Sequence, residues 1–460
     1  MVDGLRHPDE WLKELAADRC SQVREHLLFL KQRAAQSQAA AILADTVSHV
    51  LYSIESELKA APSPRADEES KFRLTEIHDF LNYLSEDLLR LIEEGESTRI
   101  PGEMILPLQR AVNDLLPATP VLVRSTSEVN YVYEEVAASI RRAFEYFGYG
   151  DALAASFPDR MVSLSVANVP PLGVLTHTAM FHELGHALWS KHEAAKRFTV
   201  DIRQDDVDKL VEQERRSFQA VSSSPPTVPE WVVEAEIREQ LTEVVMRWIE
   251  ETVCDMVAVS LGGPAYLANL CYFMLPTEDA PESGSESHPP MTYRCKEVAR
   301  VTKEAFGKIA FEPMVSSLTA LEGFTDQLAI HPGEPLLDVA LGYVQSYMSA
   351  ISECAQELTK GSSYSAASVE TQVPGLVDRL LDGVPPNEYW DAATDAYVVP
   401  ELASIMSAAW LVFCWRWSKW TELTAGMTEA DGKRRFYKLV ANGIEQSEIH
   451  RRWAEGQDNG

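Results

Sequence analysis

His182-Glu183-Leu184-Gly185-His186 is the stretch on which the reading of this chain turns. On a helix, residues four apart lie one turn from each other on one face, so both imidazoles reach a single metal ion. Glu183 points about 100° to the side. There it can hold a water that the metal activates. A random chain with 11 histidines and 70 acids in 460 residues matches this pattern roughly 0.04 times, so the surrounding sequence has to carry the case.

Two histidines leave a catalytic zinc one protein ligand short, because such sites use three and keep a fourth position for water. His192 falls at the spacing of the H-E-x-x-H-x-x-G-x-x-H pattern, in which glycine breaks the helix and lets a third histidine swing back. Trp189 stands at the glycine position here, and Ala187, Leu188, Ala194 and Ala195 favour continued helix. On a continuing helix His192 lies too far along to share the ion and reads as a surface residue.

The alternative is an acid in Trp248-Ile249-Glu250-Glu251-Thr252-Val253-Cys254-Asp255. Glu251 shares a helical face with Val244, Trp248, Asp255 and Ala258. Glu250 shares a wetter one with Glu243, Arg247 and Cys254. Two carboxylates on an apolar face are costly without compensation. A divalent cation on Glu251, and an imidazole N–H donated to Asp255, would compensate both and fix the histidine tautomer. Pairing with Arg247 or Arg294 would also neutralise them.

Here the chain resembles the gluzincin metallopeptidases, in which H-E-x-x-H is followed by E-x-x-x-D on a later helix. The 65 residues from His186 to Glu251 are closer to the spacing of the CaaX prenyl-protease group, and Ser287-His288-Pro289-Pro290 with Arg294 resembles that group's H-P-x…R element. The resemblance covers about residues 160–300. It implies Zn2+ held by His182, His186 and Glu251, Glu183 as general base, and Asp255 and Arg294 behind the ligands. It implies His288 as the group that stabilises the oxyanion, with Tyr293 as the alternative. The chain departs from the membrane group in having no spans and in its long helical flanks.

The expected fold is mainly α. A zincin-like catalytic core at 151–300, with a small β-sheet edge, lies between helical regions at 1–150 and 301–460. The alternation in Met161 to Asn168 marks the strand, and an edge strand beside a metal can pair with an extended substrate. Helices are expected over Glu10–Ala39, Ala41–Ala60, Leu74–Glu94, 104–149, 193–220 and Glu230–Leu261. Loops are expected at Ala61–Pro64, 221–229 and 276–290, and disorder after Glu455. His177 reads as a solvent-facing or satisfied helix residue, and Trp410, Trp417 and Trp420 as a core stripe.

Seventy acids against 41 bases give a net charge of -29, which repels nucleic acid and anionic membranes. Six scattered cysteines make neither a disulfide framework nor a thiolate zinc site. The start, MVDGLRHPDEW, is no secretory signal. Met256 to Leu275 is uncharged but broken by Gly262-Gly263-Pro264, so it reads as two buried helices. The expectation is a cytoplasmic zinc metallopeptidase acting on a peptide or protein. The alternatives are a non-catalytic helical regulatory or binding protein with a structural or accidental motif, and a zinc amidohydrolase on non-peptide substrates.

Overall fold

The computed structural model describes residues 8–31, 38–60, 68–95, 102–117, 119–126, 132–153, 157–167, 173–221, 228–277, 280–331 and 333–458. The chain is mainly helical with a small mixed sheet. It divides into two units, one formed by 1–101 and 116–169, the other by 102–115 and 170–460.

The first unit begins with helices Pro8–Lys31, Gln38–Ala60 and Glu68–Tyr83, the last running through a π-helical stretch into Leu89–Gly95. Leu43, Val47, Val50, Ile54 and Leu58 recur at three-to-four spacing on the second helix and are all buried, which gives the stripe that closes a bundle. Of the helix expected over Glu10–Ala39, Pro8–Lys31 is described as helix and residues 32–37 lie outside the described residues. The Ala61–Pro64 loop lies outside the described residues. Glu57 joins the bundle to the chain beyond it. Its carboxylate takes both Arg73 nitrogens, at 2.7 and 3.2 Å, and the Tyr149 hydroxyl at 2.9 Å. Burial alone would raise the Glu57 pKa, but Arg73 and Tyr149 outweigh it and hold it below the ordinary range. A depressed carboxylate stabilises the fold above its unfolded pKa and loses that contribution as pH falls through the folded one. The Glu57→Gln variant is therefore expected to be less stable by about 1 kcal/mol at pH 7. The gap should shrink as pH drops below about 4, as read by urea denaturation across pH. A gap constant with pH would contradict this.

Residues 104–149 were expected to be helical, but among the described residues only Gly102–Leu115 and Val136–Tyr146 are α-helix. Between them run β1 (Val121–Thr126) and β2 (Val132–Glu135). Both pair with β3 (Val162–Ala167), β1 in parallel with Val123 opposite Leu164, β2 antiparallel with Tyr133 opposite Leu164. The strand expected at Met161–Asn168 is thus present, but it is the central one. It is not a sheet edge and has no free side to offer a substrate. The alternation misled because the serines are as buried as the aliphatics: Ser163 and Ser165 are covered, as are Val162 and Leu164. A short hydroxyl fits under a packed layer as well as it faces water.

In the second unit, Gly173–Thr176 and a 3-10 turn lead into the motif helix Met180–Lys191. It lies against the 33-residue helix Glu230–Gly262. The approach is close because Gly185 has no side chain: a Cβ there would lie 2.8 Å from the Cys254 Cα. The long helix stops at Gly263, whose φ of 58° suits glycine, and Pro264 starts the next. Met256 to Leu275 is therefore interrupted and mostly buried, with Tyr272 exposed, and no helix among the described residues is long and apolar enough to cross a membrane.

Beyond the loop at 280–290 come helices Met291–Phe306, Glu312–Asp326, Pro335–Ser346, Met348–Leu358 and Ala366–Leu381. An unexpected hairpin, Tyr389–Asp391 with Ala396–Val398, precedes Leu402–Trp415, Trp417–Leu423 and Glu429–Asp458. The last helix runs past Glu455 to Asp458, into the stretch after Glu455 where disorder was expected. Trp410 and Trp420 are buried and donate to Leu175 O and Gly432 O, so they are core. The expected helix 193–220 is a 3-10 turn, Ala194–Arg197, followed by Gln204–Val221.

Candidate metal centre

His182 and His186 project from the motif helix toward the middle of the long one. His182 Nε2 lies 3.2 Å from Glu251 Oε2, and His186 Nε2 lies 3.3 Å from Glu251 Oε1. Ligand atoms of these three residues all fall within 4.8 Å of one another, the one such group among the described residues. His182 and Glu251 are 7% exposed, and His186 is half-buried. The group is thus screened from bulk water while keeping a way in.

Both imidazoles are held from behind. His182 Nδ1 lies 2.9 Å from Asp255 Oδ1, one turn along from Glu251. His186 Nδ1 lies 2.9 Å from Glu250 Oε1. With Nδ1 donating to a carboxylate, each Nε2 presents a lone pair toward Glu251. Lone pairs facing carboxylate oxygens repel unless something positive lies between them. Protons on the rings would serve, and so would a cation. Burial lowers the pKa of both histidines, yet Asp255 and Glu251 raise that of His182, and Cys254, Glu250 and Glu251 that of His186, so both end above their usual value. Glu251 Oε2 is buried without a hydrogen-bond donor. A carboxylate oxygen with no hydrogen-bond donor beside two oriented imidazoles is a donor set that can hold a metal ion.

Arg294 anchors the assembly from Met291–Phe306. Its Nε and Nη2 each lie 2.8 Å from an Asp255 oxygen, and its Nη1 lies 3.6 Å from Glu251 Oε2. The Tyr266 hydroxyl adds a 2.6 Å bond to Asp255 Oδ1. Burial would raise the Asp255 pKa, but the guanidinium and His182 hold the carboxyl far below its usual range. The two open readings of Asp255 from sequence, histidine partner and arginine partner, are both realised at once.

His288 comes from the 280–290 loop. Its Nε2 lies 3.7 Å from Glu251 Oε1, its Nδ1 meets Ser287 Oγ at 2.8 Å, and its side chain is 56% exposed. Tyr293 turns elsewhere: it is buried, and its hydroxyl donates to Met348 Sδ at 3.4 Å. Glu183, next to His182 in sequence, is half-buried. His192 is exposed, and the helix does end there, at Lys191, with Glu193 left-handed at φ 47°. The expected continuation through Ala194 and Ala195 fails, yet His192 is not among the grouped ligands. His177 is buried, which removes the solvent-facing reading, and burial lowers its pKa to about 3.

Two contributors escaped the sequence reading. Glu250 was assigned to a wet face, where it is 33% exposed, but that face borders His186. Tyr266 follows the Gly-Gly-Pro break, and no spacing rule links it to Asp255. The adjacent acids at 250 and 251 were the available signal for the first. A scan against protein-family models and searches of curated proteins and of solved structures return no match.

Proposed function

We propose that the chain is a zinc-dependent metallopeptidase of gluzincin type. The observation that carries this reading is the convergence of His182, His186 and Glu251 within 4.8 Å, with Glu183 between the two histidines in sequence. A bound Zn2+ would supply Lewis acidity and lower the pKa of water toward about 7. Glu183 takes the proton of the attacking water and passes it to the leaving amine. His288, exposed at the mouth of the group, donates to the oxygen on which negative charge develops. Asp255, with Arg294 and Tyr266, fixes the His182 ring, and Glu250 fixes that of His186.

Protein purified without chelator is expected to carry about one zinc per chain by mass spectrometry of the metal, and Glu251→Ala is expected to carry less than about a tenth of that. Zinc-free wild-type protein that binds none on titration would overturn the reading. It would leave a helical protein whose motif is structural.

A further inference from the structure

A cavity of about 670 Å³ opens among helices Gln204–Val221, Glu230–Gly262 and Pro335–Ser346. Its wall is part apolar, with Leu210, Ile237 and Leu336, and part acidic, with Glu214, Glu236 and Glu334. Arg215, also in the wall, is engaged by Glu230 at 2.8 Å. No basic side chain pairs with the carboxylates of Glu214, Glu236 or Glu334 among the described residues. Clefts lined by one sign of charge concentrate the opposite sign.

The cavity is in register with the metal group. Val233, Ile237, Gln240, Val244 and Glu251 follow one another at steps of three, four and seven on the same helix, so cavity wall and ligand share one face. At 1.5 Å per residue, Gln240 lies about 16 Å and Val233 about 27 Å before Glu251. The 280–290 loop bridges the gap. Gln240 Nε2 donates to Glu286 Oε1 at 3.0 Å, and two residues later His288 Nε2 lies 3.7 Å from Glu251. Trp248 Nε1 fastens the same loop through Ser285 O at 2.8 Å.

We propose that this cavity is a distal subsite for a basic segment of an extended peptide, lysine or arginine side chains alternating with apolar ones. At about 3.3 Å per extended residue, the basic positions fall about five to eight residues from the bond that is cut. The apolar wall takes the intervening side chains, and the three carboxylates take the cationic heads. As a substrate subsite the inference rests on the peptidase reading. The binding it requires does not.

The test is therefore run first without metal or turnover. A fluorescein-labelled peptide alternating leucine and lysine is titrated by anisotropy into Glu183→Gln protein in EDTA. It is expected to bind, to weaken roughly tenfold in the added triple variant Glu214→Gln/Glu236→Gln/Glu334→Gln, and to weaken with salt. An alternating leucine–glutamate peptide should not bind. A control triple in the N-terminal unit, Asp18→Asn/Glu25→Gln/Glu86→Gln, removes the same charge and should leave affinity unchanged. No binding, no loss in the cavity triple, or an equal loss in the control overturns the subsite. With zinc present, the cavity triple should raise KM and keep kcat for peptides with lysines five to eight residues from the cleaved bond. Binding that passes every control without any cleavage overturns the peptidase reading and leaves the cavity as a basic-peptide site.

Discussion

Glu183→Gln protein is expected to bind zinc like the wild type and to lose cleavage by about 10²- to 10⁴-fold or more. Glutamine has nearly the shape of glutamate and the same backbone propensity, and position 183 is not among the grouped ligand atoms, so fold and metal content should survive. What disappears is a carboxylate able to accept a proton. The measurement is paired: zinc per chain, and cleavage of a quenched-fluorescence peptide library. Wild-type turnover in a zinc-loaded variant would remove Glu183 from the chemistry. Loss of zinc together with activity would assign it a structural role instead.

The second large effect is on stability. Arg294→Met should cost about 3–5 kcal/mol, read from urea denaturation of metal-free protein. Arg294 is 5% exposed and Asp255 1%, and the two share paired 2.8 Å bonds. Methionine fills the space of the side chain but leaves Asp255 a buried anion with only Tyr266 and His182 to face. The desolvation cost that the guanidinium offset is then exposed. Replacing both, as Arg294→Met with Asp255→Leu, should recover part of the loss, because a hydrophobic pair needs no compensation. A single variant within about 0.5 kcal/mol of wild type would mean that Asp255 is neutralised some other way. Neither prediction depends on the distal subsite.

The candidate site was legible to an unequal degree. His182, His186, Glu251 and Asp255 could be chosen from spacing, because a helix fixes which residues share a face, and the apolar company of Glu251 marked it as buried. Arg294 could be named as a partner but not placed. Glu250 was passed over, since a face that looks wet along one helix can border another helix's histidine. Tyr293 was named only through the resemblance, as the alternative to His288, and its hydroxyl goes to Met348 instead, because on a helix it points about 100° away from its neighbour Arg294.

The fold divides in the same way. Long stripes such as Leu43 to Leu58 announce a helix because the pattern is local. β1 and β2 did not, because Val121–Thr126 and Val132–Glu135 are short and become strands through pairing with β3. The reverse error occurred at β3 itself, where serines suggested an exposed face that the packing covers.

By itself the sequence determined that this is a mainly helical chain with two imidazoles and one glutamate suited to a shared cation. Those properties depend on periodicity, which each segment carries within itself. The tertiary structure alone decided that the motif helix meets the long helix at Gly185 and Cys254, that Glu250 backs His186, that β3 is central, and that an acidic cavity shares a face with Glu251. These are contacts between residues far apart in the chain. They are set by how side-chain volumes and charges fit together once the chain has closed on itself, and no local spacing encodes that.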